Sequence, residues 1–320
     1  MIRETDYAYA VSRIRAQELK LLSRQDLEQL ISCNTEAECL RMLADRGWNT
    51  ERGASVMLKE EMEKTWSLLR DLTPDPSVFS VFLIKNDYHN LKAAIKSVLA
   101  NTGGASLFLP EGTVDAEVIR KAAETGDVSL LPASMREPAA EAREVLLRTG
   151  DGQLADVILD QAALNDILAA GNTAGGWFAQ YAETVAATTN MKIAARAQRT
   201  KKQADFYRRA LAPCKTLDVE ALAAAAQQGE KELAAYLDHT PYAKGAEMLF
   251  VSFAAFERWC DDQVMEQIQP AKTKPFGPEP LAGYLLARET EIQAVRILLS
   301  VKHNRLPEDI LRERLREMYV

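Results

Sequence analysis

Helical periodicity runs along almost the whole chain, and this feature restricts the fold more than any other. Apolar residues recur three and four positions apart, which is the spacing of one face of an α-helix. Clear alternation with a period of two, the pattern of a half-buried strand, is absent. The helical pattern covers residues 7–27, 51–72, 141–147, 154–168, 178–195, 219–237, 247–268 and 285–301. The sequence therefore predicts an all-α fold.

Turn-forming residues separate these segments and predict where the helices end. Glycine and proline are sparse, at 15 and 12 among 320 residues, so many short strands joined by tight turns are not expected. We predict loops at 73–76, 101–104, 170–176 and 270–280, where prolines or paired glycines interrupt the apolar pattern.

A capped helix is repeated about a hundred residues apart. In both copies a Thr, or the Asp two residues after it, predicts a helix N-cap, and a glycine thirteen residues after the Thr predicts the C-terminal cap. The first copy consists of Thr113, Asp115 and Gly126, and the second of Thr216, Asp218 and Gly229. A proline, Pro110 or Pro213, stands three residues before each Thr.

Two further motifs recur in order. One pairs an apolar residue with a following base: Asn90-Leu91-Lys92, Asn190-Met191-Lys192 and Ala294-Val295-Arg296. The other places an aromatic residue ten positions after a glutamate, as Glu38 with Trp48 and Glu232 with Tyr242. These repeats predict three similar helical modules, at residues 1–112, 113–215 and 216–320. Chance similarity between helices of alike composition remains the alternative.

Charge and ligand-forming residues disfavour several functional classes. The net charge of −7 and the pI of about 5.3 argue against a nucleic-acid binder, which usually carries a basic excess. The four cysteines form no C-x-x-C pair and the three histidines lie far apart, so we predict free thiols, no metal site and no cofactor. We expect neither a signal peptide nor a membrane-spanning helix.

Three segments of the chain resemble one known family. Residues 7–16, residues 87–92 and residues 284–292 together with Arg296 are similar to the C subunits of bacterial and archaeal V/A-type ATPases, the family to which the d subunit of eukaryotic V-ATPases also belongs. The resemblance spans the whole chain, and its ordered set of motifs carries it rather than any single one. Ala294 departs from the family pattern, which often has asparagine there.

This resemblance implies three helical modules in a pseudo-threefold, funnel-like arrangement. Members of the family sit on the cytoplasmic face of the membrane proteolipid ring as a peripheral part of the complex. They receive the central shaft, built of D- and F-type subunits, and couple it to the ring during ATP-linked proton or sodium transport. The resemblance thus implies a non-catalytic rotor subunit, present as a monomer within the complex.

Three basic residues are the candidates for contact with the shaft. Lys92, Lys192 and Arg296 occupy corresponding places in the three modules and are expected to face a common axis. The alternative is that they are ordinary exposed helix positions or are paired with nearby acids such as Asp87 and Glu291.

Two other functions are open at this point. One is a helical scaffold from another repeat family, although such repeats usually run about 20–50 residues. The other is a magnesium-dependent terpenoid-type enzyme, because adjacent carboxylates such as Asp261 and Asp262 on a helix can hold magnesium and a diphosphate. The second metal-binding motif that such an enzyme needs is not found in the sequence, so a solvated helix face is favoured.

Overall fold

The computed structural model describes residues 3–99, 107–308, 311–312, 315–316 and 318–320. Over these ranges the chain forms α-helices joined by turns and short 3-10 segments, and the described part contains no β-strand. The predicted all-α fold is therefore confirmed. The predicted loop at 101–104 lies outside the described residues.

The α-helices vary from two turns to seven turns in length. In chain order they are α1 (Ala8–Glu18), α2 (Arg24–Ser32), α3 (Glu36–Asp45), α4 (Ala54–Leu72), α5 (Ser80–Leu99), α6 (Ala116–Thr125), α7 (Ala133–Thr149), α8 (Gly152–Ala174), α9 (Gly176–Arg199), α10 (Ala204–Ala210), α11 (Val219–Gln228), α12 (Glu230–Asp238), α13 (Ala243–Val251), α14 (Phe253–Ile268) and α15 (Glu279–His303).

The chain divides into two compact units. The first contains residues 1–76 and 251–320, and the second contains residues 77–250. In the first unit, α15 packs against α4 and α1 over a core that includes Leu22, Leu43, Met57 and Leu298. The three-module arrangement around an axis, with joins near 112 and 215, stays a prediction.

The second unit has its own apolar core. Helix α8 packs against α5, α7 and α9, and α6 packs against α5. Leu91, Ile119 and Leu159 are buried in the core of these helices. An aromatic cluster extends this core where α5 faces α9: the ring centroid of Phe82 lies 4.9 Å from Tyr181 and 6.1 Å from Phe178. Burial of such rings contributes heavily to the stability of a core.

Both repeated helix caps form as the sequence predicts. The Asp115 carboxylate accepts a hydrogen bond from Glu117 N at 2.7 Å, and Asp218 accepts from Glu220 N and Ala221 N at 3.0 Å each. Helix α6 ends at Gly126 with φ of 73°, and α11 ends at Gly229 with φ of 146°. Such positive φ values favour glycine, which explains why the residue recurs at these positions.

The predicted loop at 170–176 is mostly wrong. Helix α8 continues through this segment to Ala174, and only the Gly175–Gly176 pair breaks the chain before α9. Gly171 lies inside the helix, where an added Cβ would stand 2.4 Å from Ala182 Cβ and 2.8 Å from the Phe178 carbonyl oxygen. The glycine is therefore required for close packing of α8 on α9 rather than for a turn.

The segment 270–280 is only partly a loop. Residues Gln269–Thr273 form a 3-10 turn, and α15 begins at Glu279 with Pro280 in its first turn. Proline is tolerated there because the amide it lacks has no partner within the helix. The continuous helical pattern at 219–237 is likewise two helices, α11 and α12, divided at Gly229.

Replacing Gly171 with alanine is expected to lower the free energy of unfolding by about 1–3 kcal/mol, the usual cost of overpacking. This result runs against intrinsic propensity, which favours alanine over glycine within a helix by about 1 kcal/mol. The matched control is Gly152→Ala at the start of the same helix, where the nearest atom to the added Cβ is Lys96 Cε at 4.0 Å. Urea denaturation measures both variants, and equal stability of the two would contradict the packing argument.

Candidate functional site

The Asn90 motif forms a clamp on the chain segment that leads into the first repeated helix. Asn90, in α5, donates from Nδ2 to the Leu109 carbonyl at 3.0 Å and accepts from Leu109 N at 2.8 Å. One turn earlier on α5, the Asp87 carboxylate accepts from Thr113 N at 2.9 Å, Thr113 Oγ1 at 2.5 Å and Val114 N at 3.1 Å. Burial raises the pKa of Asp87, and these hydrogen bonds oppose that shift.

The Asn190 motif forms the same clamp in the second copy. Asn190, in α9, donates to the Ala212 carbonyl at 2.7 Å and accepts from Ala212 N at 3.0 Å. Glu183 on the same helix accepts from Thr216 N at 2.7 Å and from Thr216 Oγ1 at 2.9 Å. In both copies the clamped residue stands four positions before the repeated Thr. The asparagines thus have a physical role: each ties a connector to a long helix.

The third motif keeps the carboxylate but loses the amide. Ala294 on α15 replaces the asparagine, and Glu291 lies three residues before it, as Asp87 lies three before Asn90. Glu291 Oε1 accepts a hydrogen bond from Leu22 N at 2.5 Å. The segment clamped here therefore comes from the N-terminal part of the chain, immediately before α2.

Glu291 also belongs to a charged network buried in the first unit. The Arg288 guanidinium pairs with Glu291 and, at 2.6 Å, with Glu61 of α4. The exposed fractions of Arg288, Glu61 and Glu291 are 8%, 7% and 0%. Burial raises the pKa of Glu291, and the guanidinium opposes that shift. The network joins α4 to α15 through charges that the core cannot leave unpaired.

Trp48 and a cavity border this network. The Arg288 guanidinium carbon lies 5.2 Å from the centre of the Trp48 ring, within the range of a cation–π contact. Thr65 on α4 accepts from Arg288 Nε at 3.4 Å. A cavity of about 730 Å³ opens beside these groups, lined also by Tyr284 and Lys64. Arg288 and Lys64 are both held by carboxylates, since Lys64 itself pairs with Glu61 at 2.6 Å.

Polar contacts also form a ladder between α5 and α8 in the second unit. Lys92 pairs with Asp160 and Lys96 pairs with Asp156, each at 2.6 Å. One turn before Lys92, the Tyr88 hydroxyl donates to Asp166 at 2.8 Å. These three contacts recur every four residues along α5, so they link the two helices over about two turns.

The three predicted shaft-contact residues occupy different surroundings. Lys92 is paired with Asp160, so its partner is neither Asp87 nor Glu291. Lys192 is half-buried on α9 and engaged in contacts of its own. Arg296 is exposed on α15 and forms no ion pair with any described residue. Lys92 and Lys192 belong to the second unit and Arg296 to the first, so the shared axis-facing set stays a prediction.

Arg296 lines a small cavity of about 260 Å³ in the first unit. Its other walls include Ser55, Leu58, Ser300 and His303. The His303 ring nitrogen Nδ1 contacts the Glu36 carboxylate at 2.8 Å at one side of this cavity. The surface thus combines an apolar floor with hydrogen-bond donors and an available guanidinium, a combination that suits an acidic side chain of a partner protein.

Asp261, one of the two adjacent carboxylates in the middle of α14, is bound by an arginine. Arg316 Nε donates to Asp261 Oδ2 at 2.7 Å. Within the ranges that the structure describes, no group of three or more His, Cys, Asp or Glu side chains is arranged to hold a metal ion. Asp261 is thus part of the packing between α14 and the C-terminal segment.

Sequence reasoning missed the partners of the buried network and of the ladder. Glu61, Asp156 and Asp160 belong to amphipathic patterns that look solvated when each helix is considered alone. One available signal was Arg288, which follows the apolar run Leu285 to Ala287 and is followed by Glu291 one turn later. A charge embedded in such a run predicts a buried ion pair.

One protein family matches the chain over nearly all of its length. The family model described as ATP synthase (C/AC39) subunit matches residues 10–314. The chain belongs to this family. The expected resemblance is thereby confirmed, and the unrelated scaffold and terpenoid-type enzyme are set aside. No helix among the described residues is long and apolar enough to cross a membrane.

Two curated relatives support the assignment to the ATP synthase (C/AC39) subunit family. The C subunit of the V-type sodium ATPase of Enterococcus hirae is 24% identical over 319 residues, covering 96% of this chain and 97% of the relative. The C subunit of the A-type ATP synthase of Methanocaldococcus jannaschii is 24% identical over 345 residues, covering 95% and 85%. Family and relatives together indicate a C subunit of a V/A-type ATPase.

Proposed function

We propose that this protein is a non-catalytic part of the central rotor, coupling the shaft to the proteolipid ring during ATP-linked ion transport. It acts on the cytoplasmic face of the membrane, one copy per complex. The observation that carries the proposal is the match of one subunit family along residues 10–314, with relatives matched over most of their length. The partners are the D- and F-type shaft subunits and the ring itself.

The internal contacts suit a part that transmits torque. A coupling piece must resist deformation, so its helices and connectors need fixed positions. The clamps at Asn90 and Asn190 hold connectors, the ladder at Lys92 joins two long helices, and the Arg288 network joins two more. Buried or ordered polar contacts of this kind specify one arrangement when every group is satisfied.

Arg296 is the strongest of the three proposed shaft contacts. Its guanidinium is exposed and available, whereas the Lys92 ammonium is already bound by Asp160 at 2.6 Å. An arginine with free donors can form a bidentate salt bridge with a carboxylate of the shaft. Lys192 remains a candidate, and the three together are proposed to contribute to one basic surface.

Reversing the charge of Arg296 is expected to weaken binding of the purified D–F shaft by about tenfold, equivalent to about 1.4 kcal/mol. Lys92→Glu should weaken shaft binding less than Arg296→Glu, because the Lys92 charge is already neutralised by Asp160. Lys59→Glu on α4 is a matched control for net charge, since Lys59 is exposed and lies 3.7 Å from the Glu63 carboxylate. Calorimetric titration measures all three, and equal losses for Arg296→Glu and Lys59→Glu would contradict a specific contact.

The function as a whole is tested by purifying the native assembly through a tag on this chain. The expected result is co-purification of a proteolipid ring and a coiled-coil shaft, with one copy of this chain. Removal of the chain should uncouple ATP hydrolysis from ion movement while leaving the nucleotide-hydrolysing head active. Recovery of the tagged chain without ring or shaft from an intact complex preparation would contradict the proposal.

A further inference from the structure

A cavity of about 590 Å³ lies in the first unit, where α2, α14 and the C-terminal segment meet. This volume is within the range of about 300–1,000 Å³ that small-molecule sites occupy. No described residue lines both this cavity and the one beside Arg288. It is therefore a separate candidate site, which the clamps, the ladder and the buried network do not use.

The floor of this cavity is apolar. On α2, Leu27 and Ile31 lie one turn apart and are 5% and 2% exposed. Leu315 and Met318 of the C-terminal segment line the cavity as well and pack against the same core. Because the core holds these four side chains in place, they present a fixed apolar surface to a bound molecule.

Both side-chain carboxylates that line the cavity are already engaged. Glu28 of α2 binds the Arg312 guanidinium at 3.0 Å, and Asp262 of α14 has a contact of its own. A second arginine of the C-terminal segment, Arg316, is bound by Asp261 at 2.7 Å. These charges largely cancel one another, so they leave no excess of negative charge in the cavity.

Two further arginines line the cavity without such partners. Arg24 is exposed at the first position of α2, and Arg258 is half-buried in α14. Neither forms an ion pair with any residue that the structure describes. Glu28 and Asp262, the carboxylates one turn later on the same two helices, are the engaged ones. The cavity thus carries two guanidiniums without a counter-charge, in a chain whose net charge is −7.

We propose that this cavity binds a small phosphorylated organic molecule, with its phosphate held by Arg24 and Arg258 and its organic part on the apolar floor. A phosphate monoester carries a charge of about −1.5 to −2 at neutral pH and presents three acceptor oxygens. A guanidinium donates two parallel hydrogen bonds to such a group, so two arginines match both its charge and its geometry. Partial burial of Arg258 strengthens this attraction, because less water screens it.

The phosphate has two possible sources, a soluble metabolite or the headgroup of a phospholipid. Both present the same monoester to the two guanidiniums, so the structure assigns the shared chemistry. The test therefore uses two probes: 1-naphthyl phosphate in solution, and phosphatidylcholine vesicles that contain phosphatidic acid.

Isothermal titration of the purified full-length chain with 1-naphthyl phosphate tests the site. The expected result is one molecule bound per chain with a dissociation constant below about 1 mM, the affinity expected of a ligand of this size. Inorganic phosphate lacks the organic part and 1-naphthalenemethanol lacks the charge, so each should bind about tenfold more weakly or worse. Inorganic phosphate that binds as tightly as naphthyl phosphate would contradict the role of the apolar floor.

Substitution of the two arginines gives the specific test. Arg24→Gln and Arg258→Gln should each weaken binding of naphthyl phosphate by about tenfold or more. The matched control is Arg41→Gln, which removes the same charge from an exposed position on α3 that does not line the cavity. Arg24 is exposed, so Arg24→Gln should fold normally and keeps the test decisive even where Arg258→Gln is unstable.

Hydrogen exchange reports where the probe binds. The Leu315 amide donates to the Leu311 carbonyl at 3.0 Å, and the Leu315 side chain lines the cavity. Saturation with naphthyl phosphate should therefore slow exchange of this amide while leaving the amides of α9, in the second unit, unchanged.

The outcomes separate the site from its ligand source. Equal affinity of the unmodified chain, Arg24→Gln and Arg258→Gln for naphthyl phosphate would overturn the assignment. Absence of saturable binding of both naphthyl phosphate at millimolar concentration and the phosphatidic acid vesicles would overturn the site itself. Binding of the vesicles alone, lost in Arg24→Gln, would support the site and identify a lipid headgroup as the source. No shaft or ring subunit takes part, so these results do not depend on the proposed function.

Discussion

Arg288→Ala is expected to lower the free energy of unfolding by about 3–5 kcal/mol, the usual cost of removing one partner from a buried ion pair. The variant leaves the Glu291 carboxylate in the core without a cation, and Glu61 keeps only its contact with Lys64. Both partners are more than nine-tenths buried, so water cannot replace the guanidinium without opening the helix packing. Urea denaturation followed by circular dichroism measures the loss.

Two control variants separate this charge effect from simple truncation. Arg296→Ala, two turns along the same helix, removes an exposed guanidinium and should change stability by no more than about 0.5 kcal/mol. Replacing Glu61, Arg288 and Glu291 together with apolar residues should recover most of the loss, because no buried charge is then left unpaired. A triple variant as unstable as Arg288→Ala would show that the charges are not the cause.

Asn190→Ala is expected to cost about 2–5 kcal/mol, because it leaves two backbone groups of Ala212 without partners at about 1–3 kcal/mol each. Asn190 and Ala212 are both fully buried, so solvent does not reach these groups. Asn90→Ala removes the equivalent clamp on Leu109, which is 38% exposed. Water can hydrate that segment, and the smaller loss expected there is about 1–2 kcal/mol.

Hydrogen exchange gives the residue-level measurement for this pair. The Ala212 amide should exchange much faster in Asn190→Ala, and the Leu109 amide should exchange faster in Asn90→Ala, with each effect confined to its own connector. Equal stability losses in the two variants would contradict the argument from burial. Unchanged exchange at Ala212 would show that the clamp does not hold the connector.

The repeated clamps also explain what the internal repeats preserve. In the first two copies the amide binds the connector and a carboxylate binds the Thr four residues later. In the third, Glu291 keeps the carboxylate role while its partner is Leu22, far away in the sequence. The repeat therefore preserves a contact between a long helix and an incoming segment, and the source of that segment varies.

The sequence by itself determined the helical class, the repeated capped helices and the family. Caps such as Asp115 and Asp218 depend on amides two or three residues away, and helical periodicity depends on neighbours three and four apart. These interactions are local, so the residues that make them can be identified without knowing the fold. The ordered motifs were likewise sufficient to recognise an ATP synthase (C/AC39) subunit.

Only the tertiary structure decided the partners of the buried and paired charges. Glu61 and Arg288 are 227 residues apart, Lys92 and Asp160 are 68 apart, and each pair meets because separate helices pack together. Gly171 shows the same limit, since a glycine that resembles a turn signal is instead the contact point of α8 with α9. Sequence patterns encode what one helix needs from its own residues, whereas the match between two helices depends on distances that exist only after folding.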